Sequence, residues 1–99
     1  MNAQIVELVV CDTHPALAGH FPHDPIVPAA WLLTLVAQAC RESLGVTKLA
    51  GLRSARFRAP LRPDIAFVIE VEHQGEASIR FRLLAADVRI ADGVIEVGA

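Results

Sequence analysis

Ala18-Gly19-His20-Phe21-Pro22-His23-Asp24-Pro25-Ile26-Val27-Pro28, followed at once by an apolar helix pattern, is the stretch on which the reading of this chain turns. Pro22, Pro25 and Pro28 all fall within eight positions of His20. Each proline fixes its own φ and restricts the residue before it, so the imidazole of His20 is carried on backbone with little freedom. A histidine presented in that way is aimed at something.

Working outward, the segment from Ala29 to Leu44 contains helix formers and no internal glycine or proline, and Gly45 stands just past its end as a stop signal. Most of its circumference is apolar (Trp31, Leu32, Leu33, Leu35, Val36, Ala37, Cys40), the pattern of a helix wrapped by other structure. One polar stripe interrupts it: Thr34, Gln38 and Glu42 recur at i, i+4 and i+8 and so share an edge.

Upstream, the residues from Ile5 to Cys11 read as a strand that ends at the turn cluster Asp12-Thr13-His14-Pro15. Downstream of Gly45 the chain is strand-like. Apolar and polar residues alternate from Ile65 to His73 and from Ile79 to Ala85, which predicts strands with one buried and one wet face. Gln74-Gly75-Glu76 and Asp92-Gly93 are expected turns, the second as a two-residue hairpin, and Pro60 and Pro63 break the chain before Asp64. The order strand, loop, helix, strands predicts an α+β fold, an antiparallel sheet wound around one helix.

Composition sets further bounds. Ninety-nine residues make one domain, 1–99, yet 54% of them are hydrophobic. A monomer of that size hides only about two-thirds of its unfolded surface, so a second copy is expected to cover the surplus. The net charge of −2 argues against a general affinity for nucleic acid. Six of the nine basic residues (Arg41, Lys48, Arg53, Arg56, Arg58, Arg62) nevertheless fall in a stretch whose only acid is Glu42. That patch suits an acidic partner, or else is a solvated strand face balanced from elsewhere in the fold. Cys11 and Cys40 have no metal or disulfide spacing and read as small buried hydrophobes. No metal is expected at His14, His20 and His23, which lack an accompanying ligand cluster. The apolar stretch from Ile26 to Cys40 is shorter than a membrane span and is interrupted, and no basic leader precedes it, so a cytoplasmic protein without membrane association is expected.

Gly-His-Phe-Pro-x-x-Pro-x-x-Pro running into a hydrophobic helix, with Ala55-Arg56-Phe57-Arg58-Ala59-Pro60-Leu61-Arg62-Pro63-Asp64 about twenty residues beyond, resembles the β-hydroxyacyl-acyl carrier protein dehydratases of the hotdog fold. The resemblance covers nearly the whole chain. Its length and the lead-in from His14 to His20 are similar to the short dehydratase-like proteins of aryl-polyene-type pathways. The resemblance implies a sheet curled around the helix and two subunits, alike or related, joined edge to edge. It also implies an acyl substrate carried on the phosphopantetheine of an acidic acyl carrier protein, with no cofactor of the protein's own. His20 would be the catalytic base, and Phe21, Pro28, Ala29, Ala30 and Gln38 would line the substrate. Arg53, Arg56, Arg58 and Arg62 would face the carrier protein.

The chemistry of dehydration needs a base at C2, a donor for the leaving hydroxyl at C3, and stabilisation of charge on the thioester oxygen. A neutral imidazole in an apolar site is ready to accept the proton. Unpaired N–H groups near Ala29 and Ala30 at a helix start would supply the oxyanion contact. The donor is where the chain departs from the resemblance: the family's helix carboxylate, fourteen residues after the histidine, falls on Thr34. A threonine hydroxyl can hydrogen-bond a substrate or position a water, which keeps Thr34 beside His20 as a candidate catalytic residue, but it holds its proton too tightly for general-acid work. A threonine in a helix more commonly bonds back to the preceding turn. Ala29 also replaces a glycine, and His23 and Asp24 stand where the family has small residues, which makes them candidates for a substitute acid. Three readings follow: a dehydratase, acting alone or with a partner that supplies the acid; a catalytically weak or silent subunit that binds carrier protein or completes a heterodimer; and, third, an acyl thioesterase.

Overall fold

The computed structural model describes residues 4–9 and 26–98. Strand β1 (Gln4–Leu8) is followed by helix α1 (Ala29–Leu44) and four further strands, β2 (Leu49–Phe57), β3 (Phe67–His73), β4 (Ser78–Ala85) and β5 (Val88–Val97). All strand pairs are antiparallel and the sheet order is β1-β3-β4-β5-β2. This is the α+β arrangement of one helix on one antiparallel sheet that the sequence implies.

The helix has the bounds the sequence predicts, because both ends are encoded locally. Pro28 sits at its N-cap in extended conformation, φ −60° and ψ 140°, a geometry proline adopts without strain. Gly45 ends it in the left-handed region, φ 69°, and its backbone N–H donates to the Cys40 carbonyl. Leu32, Val36, Ala39 and Cys40, spaced at helical intervals, are buried. They share one core with the inward residues of the sheet, Phe67, Ile69, Val71, Ile79, Phe81, Leu83, Ala91 and Ile95. Each large aliphatic side chain so buried contributes roughly 1.5–3 kcal/mol. The expectation of a helix covered all round is corrected. Its main contacts are with β3 and β1, and Trp31, Leu33, Leu35 and Ala37 are only partly covered.

Outside the helix the strand expectations hold with two corrections. β3 begins at Phe67 rather than Ile65: Asp64 takes a positive φ of 65° in the turn after Pro63, and Ile65 is left half exposed. Asp92-Gly93 is no hairpin. Both residues lie inside β5, and the connection between β4 and β5 is the turn at Ala86-Asp87, with Ala86 at φ 52°. The physical reason is close packing. A Cβ on Gly93 would stand 2.7 Å from two atoms of the Phe81 ring and would also strike the Ser54 carbonyl on β2. The glycine is there to let three strands and an aromatic ring approach, not to turn the chain. The first strand ends at Leu8, so Val9 falls beyond it, and Val10 and Cys11, which the sequence also assigns to it, lie outside the described residues.

Strand β2 is a sheet edge. All of it from Ala50 to Phe57 is exposed, including the apolar Leu52 and Phe57. Between this strand and the uncovered flank of α1 lies an apolar groove of about 180 Å³ lined by Leu33, Ala37, Leu49, Leu52 and Ile95. Among the described residues no helix is long and apolar enough to cross a membrane.

The Gly93 contact yields a direct test. Gly93→Ala should destabilise the fold by about 1–3 kcal/mol through overpacking, read as a lower urea midpoint at unchanged slope. A midpoint equal to the parent's would show that Phe81 can move aside at no cost.

Candidate active site at the start of the helix

The helix start is where backbone chemistry is left unused. The N–H groups of Trp31 and Leu32 both donate to the Pro28 carbonyl, at 3.0 and 3.1 Å. Those of Ala29 and Ala30 have no acceptor within the helix, no side chain among the described residues caps them, and no acidic residue stands in the first turn. Among the described residues they are the orphan donors that any helix start leaves, and the positive end of the helix dipole reinforces them.

Ala29 borders a cavity. A hollow of about 310 Å³ is lined by Ala29 and Leu32 of the helix, Ile26 and Val27 before it, and Phe57 to Leu61 at and beyond the end of β2. The segment before the helix is held in place by the Val27 N–H, which donates to the Leu61 carbonyl at 2.8 Å. Leu61 and Val27 are themselves buried. The wall is therefore fixed and largely apolar, with Ala29 of the helix's first turn at one side and Arg58 among its lining residues.

Of the residues singled out by the sequence, Ala29 and Arg58 line this hollow, while Pro28 and Ala30, on either side of Ala29 in the chain, do not. Thr34 lies one turn further along the helix. Its hydroxyl donates to the Ala30 carbonyl at 3.0 Å, the back-bonded arrangement. Gln38 is on the same exposed stripe but not at the same cavity. It borders a small cleft of about 50 Å³ against Val6 and Leu8 of β1, and its Nε2 donates to Glu42 Oε1 at 3.0 Å. His20 and Phe21, with His14, His23 and Asp24, lie outside the described residues. Leu61, Ala59 and Val27 are wall residues that the sequence reading did not pick out. Alternation had no grip on them, because they lie in irregular segments bounded by prolines.

The arginines divide. Arg58 Nε donates to Asp92 Oδ2 at 2.6 Å and Nη2 to Oδ1 at 3.4 Å, and Arg89 lies 3.7 Å from the same carboxylate. The hydrogen bonds from Arg58, more than the net positive surroundings, hold the Asp92 carboxyl below its ordinary range, although partial burial opposes them. Arg53 approaches Glu96 of β5 at 3.9 Å. The acids that balance the basic stretch are distant in sequence and adjacent in the sheet. Arg56 and Arg62 are exposed.

With this geometry in hand, comparison with known proteins is informative. Residues 1–94 match the family model described as "ApeI-like: ApeI dehydratase". The chain belongs to the ApeI-like dehydratase family. It is 37% identical over 68 residues to a 3-hydroxyacyl-[acyl-carrier-protein] dehydratase FabZ of Polaromonas sp., a match covering 58% of this chain and 47% of that protein. It is 36% identical over 67 residues to the FabZ of Thermus thermophilus, covering 59% and 47%. The matched region thus spans about half the length of these curated relatives. The fold superposes on a chain of the dehydratase heterocomplex ApeI:P from Xenorhabdus doucetiae with a TM-score of 0.88 at 19% identity, covering 98% of this chain and 88% of that one. It also superposes on the fluoroacetyl-CoA thioesterase FlK, with a TM-score of 0.72 at 17% identity, covering 96% and 84%. The ApeI-like chain therefore has the hotdog fold.

Cys40, on the buried face of the helix, is not part of this chemistry. Burial pushes its thiol up from 9.0 to about 11, against a smaller opposing effect of Arg41. Because the folded-state value is the raised one, the associated stability is complete below the unfolded thiol's pKa and is lost as pH climbs towards the folded one. In a Cys11→Ser background, a thiol reagent at about pH 8 should leave native Cys40 unlabelled and label it fully in urea. Rapid native labelling would contradict its burial in the core.

Proposed function

We propose that this chain is a 3-hydroxyacyl thioester dehydratase subunit whose substrate arrives on an acyl carrier protein. The observation that carries the reading is the helix start at Ala29 and Ala30, whose N–H groups have no acceptor among the described residues, with Ala29 lining an apolar hollow, in a chain of a dehydratase family. The substrate's thioester oxygen sits at these N–H groups and its acyl portion lies along Leu32 and Phe57. His20, eight residues upstream of Pro28 and on proline-restrained backbone, takes the C2 proton. The electron pair of that C–H bond moves into the thioester, building negative charge on the oxygen where the helix start faces it. As the charge returns, the C2–C3 double bond forms, the C3–O bond breaks and the hydroxyl leaves as water after receiving a proton.

The proton for the leaving hydroxyl is this chain's deficit. Thr34 spends its hydroxyl hydrogen on the Ala30 carbonyl, and the first carboxylate on the helix is Glu42, two turns beyond. A second hotdog subunit, seated on the free edge of β2 and the apolar groove beside it, supplies the acid in a composite site. An edge of this length with Leu52 and Phe57 exposed is one that a partner strand covers. In this reading a related subunit rather than an identical copy completes the active site, the role of the pathway being aryl-polyene-type acyl synthesis in the cytoplasm. Arg53, Arg56, Arg58 and Arg62 flank the approach of the acidic carrier.

A second reading is favoured by one observation, the Thr34 back-bond: the chain is then a silent partner that stabilises an active subunit. The two readings separate on one set of variants. Assayed on 3-hydroxyacyl-carrier protein together with a related acid-bearing subunit, the parent should turn over and His20→Ala should lose all measurable turnover. In the chain alone, Thr34→Glu should raise turnover by roughly the 10²–10⁴-fold that a general acid supplies. If His20→Ala is as active as the parent in the assembly, the chain is the silent partner.

A further inference from the structure

The outer face of the sheet, turned away from α1, carries a second constellation, of which the dehydratase reading uses only Arg56. Pairing places Glu70, Arg82, Asp92 and Arg56 side by side across β3, β4, β5 and β2, and Glu72, Arg80, Val94 and Ser54 in the next row. Outward residues on neighbouring strands are within reach of one another. Long side chains therefore stand around short ones. Ser54, Gly93 and Val94 floor a hollow of about 340 Å³, ringed by Arg80, Arg82 and Arg89, with Asp92 at its side.

The acids of this face are largely committed. Both oxygens of Asp92 receive Arg58, and one also lies 3.7 Å from Arg89. Glu70 Oε1 accepts from one terminal nitrogen of Arg82 at 2.6 Å. Glu72 lies opposite Arg80 in register, yet among the described residues no ion pair or hydrogen bond engages Arg80. The hollow is thus rimmed by three guanidinium groups that retain unspent N–H donors, above a floor that offers one hydroxyl.

We propose that this hollow binds the phosphate group of a small molecule. A guanidinium presents donors in a planar fork that fits phosphate oxygens two at a time, and several forks converging on one hollow suit a tetrahedral dianion. The volume is at the lower end of small-ligand sites. The dianion takes Arg80 and the free donors of Arg82 and Arg89, and the Ser54 hydroxyl donates to a remaining oxygen. The proposal is independent of the active-site reading, since none of these residues borders the helix start.

The test is a titration of the full-length chain, followed by amide chemical shifts, with three probes at matched ionic strength: inorganic phosphate, pyrophosphate and adenosine monophosphate. Saturable shifts of the residues around Ser54, Arg80 and Val94 are expected. Arg80→Gln and Arg89→Gln should each weaken binding by about tenfold or more, as loss of a charge-assisted contact does. Arg41→Gln, on the helix, should leave it unchanged, and circular dichroism of each variant confirms the fold. Equal affinity for phosphate and the nucleotide means that the phosphate group alone is read; tighter nucleotide binding means an ester whose remainder rests on Val94. The proposal is overturned if none of the probes saturates by about 10 mM, the weak limit of useful recognition. It is equally overturned if Arg80→Gln and Arg89→Gln bind as the parent does, or if polyglutamate shifts these residues and phosphate does not, which would make the face a dock for an acidic protein.

Discussion

The burial of one helical stripe, Leu32, Val36, Ala39 and Cys40, against the inward side chains of β3 is the contact on which the arrangement depends. It fixes the helix over one half of the sheet, and so decides where the helix begins. That beginning comes to the end of β2, beside Phe57 and the buried Leu61, with Pro28 as cap and, among the described residues, no side chain spent on the first N–H groups. The same contact leaves the other flank of the helix and the β2 edge without cover. A donor-lined hollow and an open apolar boundary are two consequences of one packing choice, which is why the proposed chemistry and the proposed partner belong together.

Much of this was legible in the sequence where the signal is local. Pro28 and Gly45 bound the helix correctly because a fixed φ and a left-handed cap are properties of single residues. The threonine stripe was legible too, down to the back-bond that Thr34 makes one turn behind itself. Signals that depend on tertiary approach were misleading. Asp92-Gly93 has the composition of a tight turn, yet Gly93 is required by the Phe81 ring and the Ser54 carbonyl, groups twelve and thirty-nine positions away. The basic stretch likewise looks uncompensated along the chain, whereas Asp92 and Glu96 on β5 lie next to it in the sheet.

Alternation could not identify the cavity wall. Ile26, Val27 and the residues from Arg58 to Leu61 lie in irregular segments, and a single backbone hydrogen bond from Val27 to Leu61 brings them together. The departures from the family pattern were the more instructive part of the sequence. Under the proposed function, alanine at the helix start keeps an N–H donor for the thioester oxygen, whereas Thr34, where the resemblance expects a carboxylate, offers no acid, and the first carboxylate on the helix is Glu42.

The most direct measurement of the central claim is the amide proton shift of Ala29 and Ala30 in the assembled protein on adding a non-dehydratable 3-hydroxyacyl thioester analogue. A hydrogen bond from these groups to the thioester oxygen predicts saturable downfield shifts of both protons, absent with an analogue whose thioester oxygen is removed. Binding of the analogue with both resonances unmoved would contradict the assignment of the helix start as the place where charge is received.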